Sequence, residues 1–334
     1  MIRKLLFIFI FFVLIFTIIY GSDNMNKNIV KISEDFYAVK NFGGNVAFLI
    51  AEDGVVVVDA GTSLSAGKKI VNIIKEKTDK PIKYVIVTHY HNDHILGLDA
   101  FPEDIKVISS EKTKENIENI SVKQKRENTE KRYPEYIESI KTKLANMENT
   151  ESKEYEEMEK QLKETEEFFK EYKNTDIVIP NETFKNKKVI KLRNETFEII
   201  QYPNTHTSGI SIVYFKKRKV LHTSDLIFNN MYPYIDSERG GNTENWIKAL
   251  DEISKMDINT VIPGHGDIEN NKNSLNRQRE YFKTMRRNIQ EYINNNAELE
   301  EIKENLKIPE YSNYGKERFY KLGIETIYEE LKNR

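Results

Sequence analysis

The sequence predicts an α/β fold, with two sheets packed face to face and helices outside. Three observations point there. Short β-rich runs joined by tight turns fill two separate stretches, near 36–58 and 189–223. Each is followed by a helical stretch and another apolar strand, at 65–87 and 244–262. This spacing fits a strand–helix–strand crossover. The chain, at 334 residues, is long enough to bury a sizeable core.

The first residues form a separate unit. Arg3 and Lys4 precede an apolar run from Leu5 to Tyr20, and Gly21-Ser22-Asp23 follows. That is the layout of an export signal, so residues 1–22 are expected to be a signal peptide or an uncleaved amino-terminal membrane anchor through 5–20. The expected location is periplasmic or secreted, or anchored on the outer face of the cytoplasmic membrane.

Next come the β-rich runs Phe36–Val39, Val46–Ile50 and Val55–Val58, with Glu52-Asp53-Gly54 as a hairpin signal. Ser65 to Thr78 has helical spacing through Ile70, Ile73 and Ile74, and Lys83–Val87 reads as a buried strand. A different texture starts near Glu111. Tyr133, Ile137, Ile140, Leu144 and Met147 step by four and three, and Tyr155 to Tyr172 repeats the pattern after a polar break. This predicts an antiparallel helical hairpin, an insertion over about 111–175. It either packs on the domain surface or acts as a lid or dimerisation arm. Strands return at Val189–Leu192, Phe197–Gln201, Ile210–Phe215, Lys219–Thr223 and Thr260–Ile262. Residues 271–334 read as a helical extension with a break near Ile308-Pro309, so the main domain spans about 30–270.

Composition removes several chemistries. Cysteine is absent, which excludes disulfides, iron–sulfur clusters and thiolate zinc sites. Any metal must be held by imidazole and carboxylate. The formal net charge of −2 and the lack of a concentrated basic patch argue against nucleic acid.

Five of the six histidines stand where a two-metal site needs them. His89, His91, Asp93 and His94 fall within six residues, just past the Lys83–Val87 strand. His206, Asp225 and His265 follow later, each at or just past an apolar run. His89 and His91, alternating at a strand end, would converge on one cation together with His206. Asp93, His94 and His265 would take the second, with Asp225 bridging the two or completing the second site. Neutral imidazole and carboxylate suit zinc, with iron or manganese as alternatives. Three histidines with an open position make a catalytic site. His222 reads as a core or supporting histidine, and Trp246 and Tyr232-Pro233-Tyr234 as packing or pocket lining.

These residues resemble the metallo-β-lactamase fold superfamily, whose pattern is His-x-His-x-Asp-His followed by His, Asp and His on later loops. All seven positions are filled in order. The resemblance runs from about Val30 to Asp267 and implies an αββα sandwich with two metals at one edge. Val57-Val58-Asp59-Ala60-Gly61 looks like the family's early Asp-containing turn, in which the Asp supports a ligand histidine. Departures are visible. Ser224 stands where the family usually has Gly, and His222 where it often has an aromatic residue. Asp225 stands where the best-known zinc β-lactamases have Cys, and no Lys follows closely.

The expected chemistry follows from charge. Two divalent cations outweigh Asp93, Asp225 and a bridging hydroxide by about one formal charge, so a small anionic substrate is expected. Zinc lowers the pKa of bound water to roughly 7. Hydroxide would then attack a carbonyl, with Asp93 as the catalytic residue that orients it and moves a proton. β-Lactamase-like cleavage of an amide or lactam is the leading expectation. Alternatives are a glyoxalase-II-like thioesterase or lactonase, an iron-dependent oxidoreductase, and a binding protein that retains metals without turnover.

Overall fold

The fold is described from a computed structural model covering residues 28–332; the leader read at 1–22 lies outside the described residues. Among these residues no helix is long and apolar enough to cross a membrane.

The first sheet has seven strands in chain order: β1 (Ile29–Lys31), β2 (Phe36–Phe42), β3 (Gly44–Ala51), β4 (Gly54–Val58), β5 (Ile82–Ile86), β6 (Lys106–Ser110) and β7 (Glu182–Phe184). The β1–β4 pairs are antiparallel and the β4–β7 pairs parallel. The second sheet has five: β8 (Lys187–Lys191), β9 (Thr196–Gln201), β10 (Ser211–Phe215), β11 (Val220–Phe228) and β12 (Thr260–His265). Its last pair, β11 and β12, is parallel.

Side-chain alternation builds the layers. Val55 and Val57 of β4 face outward against Ile70, Ile73 and Ile74 of α1 (Leu64–Lys77). Val56 and Val58 face inward against Phe197, Ile199, Val213 and Phe215 of the second sheet. Both faces of β4 are therefore covered, which is why it is an unbroken valine run rather than an alternating one. The outer face of the second sheet, through Ile212, Tyr214 and Leu221, meets Trp246, Phe282 and Ile324. The order is helix, sheet, sheet, helix: the predicted αββα sandwich.

The short helix α2 (Asn92–Ile95) follows β5. Glu111 to Ala145 is helical, as α3 (Glu111–Asn116), α4 (Val122–Glu127) and α5 (Tyr133–Ala145), linked by wide π turns at Ile117–Ser121 and Asn128–Arg132. It returns along α6 (Lys153–Lys173), whose first turn is capped by Ser152 Oγ accepting from the Tyr155 N–H at 3.1 Å. A seam of Tyr133, Phe168 and Tyr172 joins the arms and packs on Leu96. The remaining helices are α7 (Thr243–Ile253), α8 (Asn273–Asn294), α9 (Leu299–Asn305) and α10 (Glu317–Lys332).

Three local features depart from the sequence reading. β1, β6 and β7 carry no clear strand pattern. They are three to five residues long and owe their conformation to the neighbours they pair with. β11 continues past Thr223 to Phe228, because its parallel partner β12 follows it through two register shifts. His89 and His91 lie beyond the end of β5, in the loop that opens α2, so loop geometry rather than strand alternation brings them together.

Candidate metal centre

All seven predicted ligands meet at one edge of the sandwich. The donor atoms of His89, His91, His206 and Asp225 lie within 4.8 Å of one another, and those of Asp93, His94 and His265 form a second such group. Asp225 joins the groups. Its Oδ2 is 3.5 Å from His206 Nε2, 3.8 Å from His89 Nε2 and 3.3 Å from His265 Nε2, while Oδ1 is 3.2 Å from His94 Nε2. His265 Nε2 also lies 3.3 Å from Asp93 Oδ2.

Four of these histidines are held by the ring nitrogen that faces away from the cluster. His94 Nδ1 donates to Asp59 Oδ2 at 2.8 Å. His206 Nδ1 donates to the Tyr234 carbonyl at 2.8 Å. His91 Nε2 donates to Asp236 Oδ2 at 3.2 Å, leaving Nδ1 to face His206 Nε2 at 3.1 Å. His89 Nδ1 lies 3.2 Å from Thr88 Oγ1 and 3.3 Å from Ser224 Oγ. Such bonds fix tautomer and ring orientation and are typical of imidazoles that ligate metal. Asp59 also accepts from the Thr88 N–H and hydroxyl, each at 2.9 Å, so the expected supporting role of that turn is visible.

Glycines make room for two of the donors. A β-carbon on Gly44 would overlap the His94 ring, and one on Gly264 would overlap Asp225 Oδ1. Ser224 has φ 50°, a left-handed conformation that favours glycine. That explains why the family usually places Gly at this position. Here the serine hydroxyl lies 2.7 Å from Thr88 Oγ1 and within reach of His89.

The electrostatics call for cations. His89 Nε2, His94 Nε2 and Asp225 Oδ1 are buried and have no hydrogen-bond partner. Unpaired buried polar atoms are costly, and three of them within the two donor groups fit divalent metal. Burial opposes ionisation throughout, yet His265 and His94 hold the Asp225 carboxyl well below its ordinary range. Against the same burial, Asp225 and Asp93 push His265 up to about 9. Burial itself drives His206 down to about 4. The carboxylates thus draw positive charge onto neighbouring imidazoles, the charge that bound metal would supply. The residues fit bound metal: His89, His91, His206 and Asp225 would hold one ion, and Asp93, His94 and His265, with Asp225 beside them, would hold a second.

Two further residues of the centre carry no sequence signal. Asp236 is buried, accepts from Tyr90 Oη and His91, and faces Arg239 at 3.3 Å. It sits just after the aromatic run noted at 232–234, but nothing in its spacing marks it. Lys316, from the helical extension, lines the cavity over the cluster. His222 stays outside the ligand set. Its Nε2 donates to the Asn45 carbonyl at 3.0 Å and its Nδ1 accepts from the Ser224 N–H, the supporting role expected of it. Trp246 is fully buried and donates to the Leu226 carbonyl, whereas Tyr234 lines the cavity.

The cavity holds about 720 Å³ and is walled by residues from the two loop sets, from the root of the hairpin (Asn128, Arg132, Phe168) and from α10.

Comparison with known proteins agrees with this architecture. The sequence profile of the metallo-beta-lactamase superfamily matches residues 39–265. A linear primary-alkylsulfatase from a Pseudomonas species is 20% identical over 292 residues, 84% of this chain and 54% of its own length. The solved structure of the stereoselective inverting sec-alkylsulfatase Pisa1, also from Pseudomonas, superposes with a TM-score of 0.64 at 17% identity, covering 91% of this chain and 50% of that one. This chain thus spans about half the length of both alkylsulfatases. Metallo-beta-lactamase IND-1 of Chryseobacterium indologenes is 22% identical over 265 residues, 75% of this chain and 87% of its own length. This chain belongs to the metallo-β-lactamase superfamily.

Proposed function

We propose that the chain is a two-zinc hydrolase of a small anionic substrate with an apolar body, a sulfate ester being the leading candidate. One observation carries the reading. The cavity over the ligand cluster combines cationic side chains (Arg132, Arg239, Lys316, Arg318) with an apolar wall of Phe228, Phe319 and Leu322. Leu322, 37% exposed, is one of the few large apolar side chains of the described residues left open to solvent. The likeness to alkylsulfatases supports the reading, because it extends over the helical extension that supplies part of this wall.

Bound zinc would supply Lewis acidity and a water acidified to near neutrality. The chain's residues do the rest. Asp225 and Asp93 keep the centre anionic enough to retain two cations. Asp93, 16% exposed and lining the cavity, accepts a proton from the attacking water and orients it. Asp236 and Asp59 hold His91 and His94 in place. Phe228 and Phe319, the buried part of the apolar wall, shield the reacting bond from bulk water. Water adds across the ester, and alcohol and hydrogen sulfate leave.

Lactam hydrolysis is the second reading, favoured by the match that covers 87% of IND-1. Metal analysis of purified protein, then assays on octyl sulfate, a chromogenic cephalosporin, a lactone and a glutathione thioester, separates the readings. Turnover of octyl sulfate alone is the expected result; turnover of the cephalosporin alone would replace it with the lactam reading. We also propose export through residues 1–22, to be checked by fractionation of cells carrying the chain with and without that segment.

A further inference from the structure

The segment 309–318 lies outside the family match, yet its Lys316 and Arg318 line the cavity. It is pinned to the stretch after β11. The Gly315 N–H donates to the Asn230 carbonyl at 3.1 Å and the Tyr232 N–H donates to the Gly315 carbonyl at 2.9 Å. That stretch begins a few residues beyond Asp225, so the tail is held in register with the ligand set. Next to this bridge Lys316 has φ 68°, a left-handed conformation that a lysine adopts only at a cost. Exposure then alternates: Gly315 and Glu317 face solvent, while Lys316 and Arg318 are half-buried toward the cavity.

The charges here are unbalanced. Most carboxylates along the cavity are engaged: Glu325 by Lys303, Glu330 by Arg286, Glu238 by Arg239, and Asp236 by Tyr90 and His91. Among the described residues Lys316 forms no ion pair. Burial depresses its ammonium, and the Arg318 guanidinium depresses it further, with Asp93 acting in the opposite sense. A half-buried cation pressed beside another is unfavourable unless an anion arrives between it and the metal cluster.

We propose that Lys316 is the anion-recognising residue of this enzyme, holding the charged oxygens of the substrate head beside the metal cluster, with Arg318 next to it. This rests on the cavity being the substrate site. It places specificity on the tail, in a chain that lacks a lysine close behind Asp225.

The test titrates full-length, metal-loaded protein with octyl sulfate, octanoate and the neutral 1-octanol. Both anions are expected to bind at least about tenfold more tightly than octanol, in line with a charge-assisted hydrogen bond. Lys316→Gly removes the ammonium and is at ease at this φ, so its thermal midpoint should hold while affinity for the anions falls about tenfold. Lys316→Arg should restore binding. Lys153→Ala, at an 89% exposed lysine of the hairpin, should bind as the wild type does. Tighter binding of octyl sulfate than octanoate identifies a sulfate head, and the reverse a carboxylate. Equal affinity of folded Lys316→Gly and wild type for both anions, or no preference for anions over octanol, overturns the proposal. Octyl sulfate that binds through Lys316 but is never cleaved defeats the proposed hydrolysis and leaves this anion site standing.

Discussion

The metal edge and the helical hairpin are both rich in ionisable residues, and they use them in opposite ways. At the edge His89, His94 and His206 are fully buried and Asp225 is nearly so. Along the hairpin, charges lie in water: Lys141 and Glu166 pair at 2.8 Å while each remains nearly half exposed. The hairpin is held instead by a thin apolar seam, with Phe168 and Tyr172 ring centroids 5.4 Å apart. Charge without solvent demands a countercharge, and so makes a binding site. Charge in solvent makes a soluble surface.

Substitutions at the two regions should therefore differ in kind. The largest effect belongs to the shared carboxylate. Asp225→Asn should lose metal and turnover together, read by metal analysis beside the hydrolysis assay; full metal content in that variant would contradict the bridging role. Asp93→Ala should also abolish turnover, and retained activity would remove Asp93 from the mechanism.

Next comes the hairpin seam. Phe168→Ala should destabilise the hairpin by about 3 kcal/mol, as a large-to-small change at a buried ring does. Hydrogen exchange across 133–173 should report it as local opening, with the sheets still protected. A global loss of protection would instead make the hairpin part of the main cooperative unit.

Asp236→Asn tests the edge from behind. Loss of a carboxylate that orients a ligand imidazole typically weakens metal binding about 10- to 100-fold. A chelator competition should show that loss without a matching fall in the metal-free thermal midpoint. Unchanged affinity would make Asp236 a partner of Tyr90 only. The smallest effect is expected at Lys141→Ala, where breaking a solvent-exposed ion pair should leave the urea midpoint nearly unchanged. A clear fall in that midpoint would show that the surface charges of the hairpin hold structure after all.

Much of the centre was legible from residues 89–94, because one short loop carries four donors, and the later His206, Asp225 and His265 each sit at or just past an apolar run. The sandwich was legible for a similar reason, since hydrophobic patterning over five or more residues reports which faces are covered. β6 and β7 were not legible. Strands of three to five residues carry too little pattern, and their conformation comes from neighbours brought from elsewhere in the chain. The wide turns at 117–121 and 128–132 left no mark either, because the apolar stepping becomes regular only from Tyr133.

The amino-acid order by itself determined the donor set, the exclusion of thiolate chemistry, the two sheets and the superfamily, because each depends on residue type and on spacing within a few turns or strands. Only the tertiary structure decided that Asp225 is shared between the two groups, that Asp236 braces His91 across 145 positions of sequence, and that Lys316 reaches a cavity opened by residues more than two hundred positions earlier. Those relations depend on where the packed layers bring the chain back to itself, and no local period encodes that return.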